Sequence, residues 1–328
     1  MSQTLLAAAL AAAAAPLVVQ ADPPKVITDV PAIHSLVAQV MGEVAEPVLL
    51  LDRGADPHSF QLRPSQAAAL QDAGLIFWIG PELTPWLDRA LGSLATKGHV
   101  IRLLGAEGST VRSYGDGDDD DHAHGAAGHS HSHSHSHGHD HGHAHRHDHD
   151  DDHAHEGTDP HAWLDPDNAA AWLSLISEEL IEHDPANARV YTANAAAAAQ
   201  RLAALDADLA ARLAPLSDRA FVVFHDAYGY FAARYGLQVA GSLALGDASA
   251  PGAARLSALR DGLRGGDVVC AFPEAQHDRR LVDAVLEGTP VRMGAPLDPS
   301  GSSLEPGPML YETLLRQLAE TIADCLDG

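Results

Sequence analysis

The sequence predicts an α/β protein of two similar (βα)4-type lobes with parallel sheets, joined by a long rigid α-helix. Three observations carry this reading. Short apolar runs alternate with helix-period segments twice, once on either side of a middle region. That middle region contains an Ala-rich stretch, 186–213, with neither Gly nor Pro. Finally, 328 residues of which 46% are hydrophobic are enough for two cores of ordinary size.

Residues 1–21 are almost wholly apolar or small and end in Val19-Gln20-Ala21, the small-x-small pattern of a cleaved signal peptide. Asp22 is the expected mature start. The segment has no Lys or Arg before its apolar stretch, which leaves the true start codon open to an upstream position. No other stretch reaches the roughly 20 apolar residues of a membrane span, and no Cys follows the leader as a lipid attachment site. An exported, periplasmic protein is expected.

From Lys25 the predicted strands lie near 26–28, 48–51, 75–79 and 100–103, with helices near 33–43, 64–73 and 82–93 between them. A helix near 167–182 is broken by Asp184-Pro185. The stretch 186–213 then reads as one helix of about 28 residues, near 40 Å at 1.5 Å per residue, a stiff strut in place of a hinge. The βα rhythm returns with strands near 221–224, 239–243, 268–272 and 291–293 and helices near 227–235, 251–264, 277–287 and 308–325. The expected domains are a leader at 1–21, an N-terminal lobe at 22–184, a linking helix at 185–214 and a C-terminal lobe at 215–328. Within the first lobe, 113–158 is Asp, Gly, Ser and His with almost no apolar side chains, an expected disordered insert.

The formal charge of −25 argues against nucleic acid, although 11 of the 45 carboxylates fall between Asp116 and Glu156. The two cysteines, Cys270 and Cys325, would sit in an oxidising compartment where pairing is the default. Sequence alone does not supply their proximity, so two free thiols stay open.

Of 22 histidines, 15 lie in the insert: His122, His124, His129, His131, His133, His135, His137, His139, His141, His143, His145, His147, His149, His153 and His155. Alternating imidazoles bind several zinc, copper or nickel ions weakly but do not build one tetrahedral site, so the tract reads as an accessory reservoir or sensor, or as a passive spacer. Seven remain outside it. In open parallel sheets ligands bind beyond the carboxyl ends of the strands. His58 follows the second strand, His225 ends the first strand of the second lobe, and His161 stands where the insert re-enters the first lobe. These three are the candidate site. His34, His99, His183 and His277 stand at helix or strand ends with ordinary structural roles available.

The segments Gly54-Ala-Asp-Pro-His-Ser-Phe60, Asp159-Pro-His-Ala-Trp-Leu-Asp-Pro166, Phe224-His-Asp-Ala-Tyr-Gly-Tyr-Phe231, Cys270-Ala-Phe-Pro-Glu274, Val291-Arg-Met293 and Leu297-Asp-Pro299, with the His-rich insert, make the chain resemble the metal-specific solute-binding proteins of ABC importers. Within them it is similar to the zinc-uptake (ZnuA-type) branch. The resemblance implies zinc held in the inter-lobe cleft by His58, His161 and His225, a Cys270–Cys325 disulfide, and delivery by a monomer to an inner-membrane ABC permease with its cytoplasmic ATPase. Some relatives carry a Glu before the first ligand, where Pro57 stands here. The fourth ligand is then Asp298 or a water, with Glu274 a weaker candidate. Three neutral imidazoles suit zinc over manganese, with copper and nickel left open. Two rivals remain: a metal-storage protein acting through the tract, and a zinc metallohydrolase with Asp226 as base.

Overall fold

The computed structural model describes residues 22–114, 157–244 and 252–328. The leader, all 15 tract histidines and most of the 113–158 insert lie outside the described residues.

The first sheet contains β1 (Val26–Thr28), β2 (Val48–Leu49), β3 (Leu75–Trp78) and β4 (His99–Arg102), all parallel, in the order β2-β1-β3-β4. The second contains β5 (Ala220–His225), β6 (Gln238–Ala244), β7 (Val268–Ala271) and β8 (Arg292–Met293), also parallel, in the order β6-β5-β7-β8. The two orders are the same once each sheet is counted from its first strand. In each, the chain reverses direction across the sheet beside its first strand, and the crevice beyond that point is where open α/β sheets hold ligands.

Helices α1 (Pro31–Met41), α2 (Pro64–Asp72), α3 (Pro85–Ser93) and α4 (Pro166–His183) belong to the first half; α6 (Gly229–Tyr235), α7 (Ala253–Leu263), α8 (Arg280–Leu286) and α9 (Leu310–Asp327) belong to the second. Each of the first four begins with Pro at its first position, where the missing N–H costs nothing. Between the halves runs α5 (Ala188–Leu213), 26 residues and about 39 Å long. Its buried residues, Tyr191, Ala195, Ala198, Leu202, Leu205, Leu209 and Leu213, recur every three or four positions and form one stripe.

That stripe changes the expected division of the interior. One continuous core runs from Val26 and Phe77 of the first sheet, through α1, α5 and α9, to Phe221 and Phe272 of the second. Smaller clusters close the outer faces, around Ile76 and Trp86 in the first half and Val222 and Val285 in the second. Two separate cores are therefore not what forms. The amphipathic α9 buries Leu314, Leu318 and Ile322 against both α1 and α5, so the last helix of the chain seals the first half as well. The Cys270–Cys325 disulfide, S–S 2.04 Å, ties β7 to the end of α9. Among the described residues no helix is long and apolar enough to cross a membrane.

Candidate metal centre

His58, His161 and His225 come together at the mouth of the two crevices. One ring nitrogen from each lies within 4.8 Å of the others. Ring centroids are 5.5 Å apart for His58 and His161, 6.2 Å for His58 and His225, and 5.3 Å for His161 and His225. The Nε2 atoms of His161 and His225 face each other at 3.4 Å.

Each histidine is held by its own local structure. His225 is the last residue of β5, so the sheet itself sets its position. His58 sits in a turn made by Asp56, whose carboxylate accepts the His58 N–H at 2.8 Å and the Ser59 hydroxyl at 2.8 Å. The Trp86 indole donates to the Pro57 carbonyl at 2.7 Å, and the His58 ring bonds the Leu83 carbonyl. The loop also crosses to the other half: the Gly54 N–H donates to the Ser302 carbonyl at 3.0 Å, and Arg53 reaches the Ser303 carbonyl at 2.8 Å. Gly54 adopts φ +74°, a conformation that favours glycine.

His161 lies on a segment clamped from both sides. The Tyr230 hydroxyl of α6 donates to the Asp159 carbonyl at 3.0 Å, the Tyr311 hydroxyl of α9 to the Trp163 carbonyl at 2.6 Å, and the Trp163 indole to the Pro299 carbonyl at 2.8 Å. After it, Asp165 caps α4 by accepting from the Asp167 N–H at 2.9 Å.

Two buried carboxylates orient two of the imidazoles. Asp159 is 2.8 Å from His161 Nδ1 and also accepts the His161 N–H at 2.9 Å; Glu274 lies 2.7 Å from His225 Nδ1 and accepts from the Tyr228 hydroxyl at 3.2 Å. A carboxylate on Nδ1 keeps the proton there and turns the Nε2 lone pair toward the shared centre, the arrangement that supports metal-bound histidine. Burial, reinforced by the neighbouring His161 and His225, pushes the His58 imidazole well below its usual 6.5, so it is neutral and able to ligate at neutral pH.

Asp298, expected together with water as the alternatives for the fourth ligand, is not in the group that the three imidazoles form among the described residues. Its carboxylate accepts from the Ser302 and Ser303 N–H groups at 3.2 and 2.7 Å, from the Ser303 hydroxyl at 2.5 Å and from the Gln276 amide at 3.1 Å. These donors consume its lone pairs, and it instead shapes the 298–303 turn on which the His58 loop rests. Glu274, ranked behind it, is the carboxylate that lies against His225. His277 lies outside the expected helix because α8 starts only at Arg280. It turns back over the cleft, stacked on Phe224 with centroids 4.2 Å apart. The strand-end criterion that selects His58 and His225 also selects Glu274 and His277, just beyond β7. His34 bonds the Pro47 carbonyl, and His99 and His183 pack beside Glu179, remote from the cluster.

The chain is similar to known proteins along nearly its whole length. Residues 26–325 match the family model described as zinc-uptake complex component A, periplasmic. The chain is 57% identical over 325 residues to a high-affinity zinc uptake system protein ZnuA of Paracoccus denitrificans, covering 99% of this chain and 98% of that one. It is 42% identical over 305 residues to the ZnuA protein of Brucella abortus, covering 92% and 91%. Among solved structures, a ZnuA crystal structure superposes with TM-score 0.70 at 24% identity, covering 93% of this chain and 100% of that one. The manganese complex of the Pseudomonas aeruginosa binding protein FpvC gives 0.73 at 22%, covering 93% and 99%. These two likenesses concern the fold. With a family match across nearly its whole length and relatives at these identities, the chain belongs to the periplasmic component A family of zinc-uptake complexes.

Proposed function

We propose that this protein captures Zn2+ in the periplasm and delivers it to the membrane permease of an ABC-type importer, whose cytoplasmic ATPase drives uptake. The observation that carries the reading is the convergence of three imidazoles, two with Nδ1 on a buried carboxylate, between two parallel-sheet crevices. Zinc is the cargo, held by His58, His161 and His225. Three neutral nitrogen ligands suit a tetrahedral d10 ion that makes no demand for extra oxygen ligands. Because Asp298 is engaged elsewhere, the fourth position belongs to water in this reading. The near-complete match to zinc-uptake relatives supports the same cargo.

The capture step needs little hinge motion. A core continuous across both halves, the α5 strut, and the Gly54–Ser302 and Trp163–Pro299 bonds all resist separation of the lobes. In the same reading the leader is removed near Ala21, and the loaded protein meets the membrane through its permease alone. The storage alternative places binding in the tract at 116–156.

A chelator-competition titration of zinc into residues 22–328 lacking 116–156 separates these. One tight equivalent is expected, lost when His58, His161 or His225 is replaced by Ala. Absence of a tight equivalent would refute capture by the cleft and move binding to the tract.

A further inference from the structure

Among the described residues, a second group of metal-ligating side chains lies next to the first: His225, Glu274 and His277, with one ligand atom from each within 4.8 Å of the others. Its members differ sharply in exposure. Glu274 is 3% exposed and His225 8%, whereas the His277 side chain is 37% exposed, with Nε2 3.8 Å from Glu274 Oε2. The stack on Phe224, 14° from parallel, holds the His277 ring over the cleft, and both groups line the same cavity. His277 is thus the more exposed end of the cavity lining and His161, at 1%, the buried end, with His58 half-buried between these extremes of exposure.

We propose that Glu274, His277 and the Nδ1 of His225 form an outer Zn2+ site through which the ion passes on its way to and from the three-imidazole cluster. This rests on the reading of His58, His161 and His225 as the inner site. One carboxylate and two imidazoles form a ligand set zinc accepts, with the exposed side left for water. The two sites share one imidazole, and a neutral imidazole has a single nitrogen lone pair to give. With zinc on Nδ1 the ring proton sits on Nε2, which withdraws that nitrogen from the inner cluster. With zinc on Nε2 the proton returns to Nδ1 and donates to Glu274. The outer and inner sites are thus filled alternately, and the pair carries one ion at a time. The carboxylate supplies attraction at the entrance, while the inner set supplies retention.

The test compares full-length variants, so that the His-rich tract is common to every sample. First, zinc equivalents are counted by titration for His58→Ala/His161→Ala and for the same protein carrying His277→Phe, which keeps the aromatic stack on Phe224. The double variant is expected to hold one more equivalent than the triple; equal numbers would overturn the outer site. Second, stopped-flow fluorescence follows filling of the inner site through Trp163, whose ring lies 5.2 Å from His161. His277→Phe, with His277→Gln as a second variant of different shape, is expected to slow this phase at least about tenfold, within the range over which association rates respond to mutation. Unchanged rates in both variants would overturn the transit role. Failure of the inner-site reading appears separately, as tight binding that survives His58→Ala/His161→Ala.

Discussion

Replacing Asp159 by Asn tests whether the cluster is tuned for metal or is merely a group of packed histidines. Asp159 is 2% exposed, and its Oδ1 meets both the backbone N–H and the Nδ1 of His161, at 2.9 and 2.8 Å. An Asn oxygen can accept the same two hydrogen bonds, and the Tyr230 bond to the Asp159 carbonyl involves only backbone. Orientation of His161 therefore survives, and what disappears is the negative charge that makes the imidazole a stronger donor to a cation. Loss of a group that supports a ligating histidine typically costs about 10–100-fold in metal affinity. Asn should sit near the lower end, about tenfold or 1.4 kcal/mol, and Ala, which also frees the ring, near about 100-fold or 2.7 kcal/mol. The assay is competition for zinc against a chelator of known affinity at pH 7.5, with circular dichroism and a thermal melt as controls of folding. Zinc binding by Asp159→Asn within twofold of the parent would refute the reasoning. So would a loss as large as that of His161→Ala, which would mean collapse of the site.

Other consequences are open to measurement. His58 has a folded-state pKa below its unfolded value of about 6.5, so the unfolded chain takes up a proton that the folded chain refuses as pH falls below 6.5. The metal-free protein should lose stability from pH 7.5 to 5.5 in urea titrations, and His58→Ala should lose less; an equal loss would contradict the burial of that imidazole. Replacing Cys270 and Cys325 by Ser opens a loop with sequence separation 55 and should cost about 4 kcal/mol of unfolding free energy in the chain-entropy model, while zinc affinity stays near the parent value. A Cβ on Gly294 would stand 2.2 Å from a Phe272 ring carbon, so Gly294→Ala must displace a buried aromatic ring and should destabilise by about 1–3 kcal/mol in denaturant unfolding.

Much of this molecule is legible in its chain because the signals are local. Absence of Gly and Pro from 186–213 makes the long helix, observed as Ala188–Leu213, and runs such as Leu75-Ile-Phe-Trp78, buried on both faces, make parallel strands. His58 and His225 are picked out by their position beyond the carboxyl ends of strands, whose direction the βα alternation implies, and His161 by its place where the insert re-enters the first lobe. What is not legible depends on where segments far apart in the chain come to rest. Asp298 and Glu274 both lie near strand ends, and nothing local distinguishes them. Glu274 is the one that reaches His225 because β7 pairs beside β5, while the Asp298 carboxylate accepts from the N–H groups of its own 298–303 turn.

The sequence by itself determines the alternating elements, the strut between the lobes and the three histidines, because helix propensity, apolar periodicity and strand polarity act over a few residues. Only the tertiary structure decides that the lobes share one core, that Asp159 and Glu274 set the imidazoles, and that His277 leans over the entrance. Those outcomes follow from packing between segments separated by tens to hundreds of residues, where burial and competing hydrogen-bond partners select one arrangement among several the local signals allow.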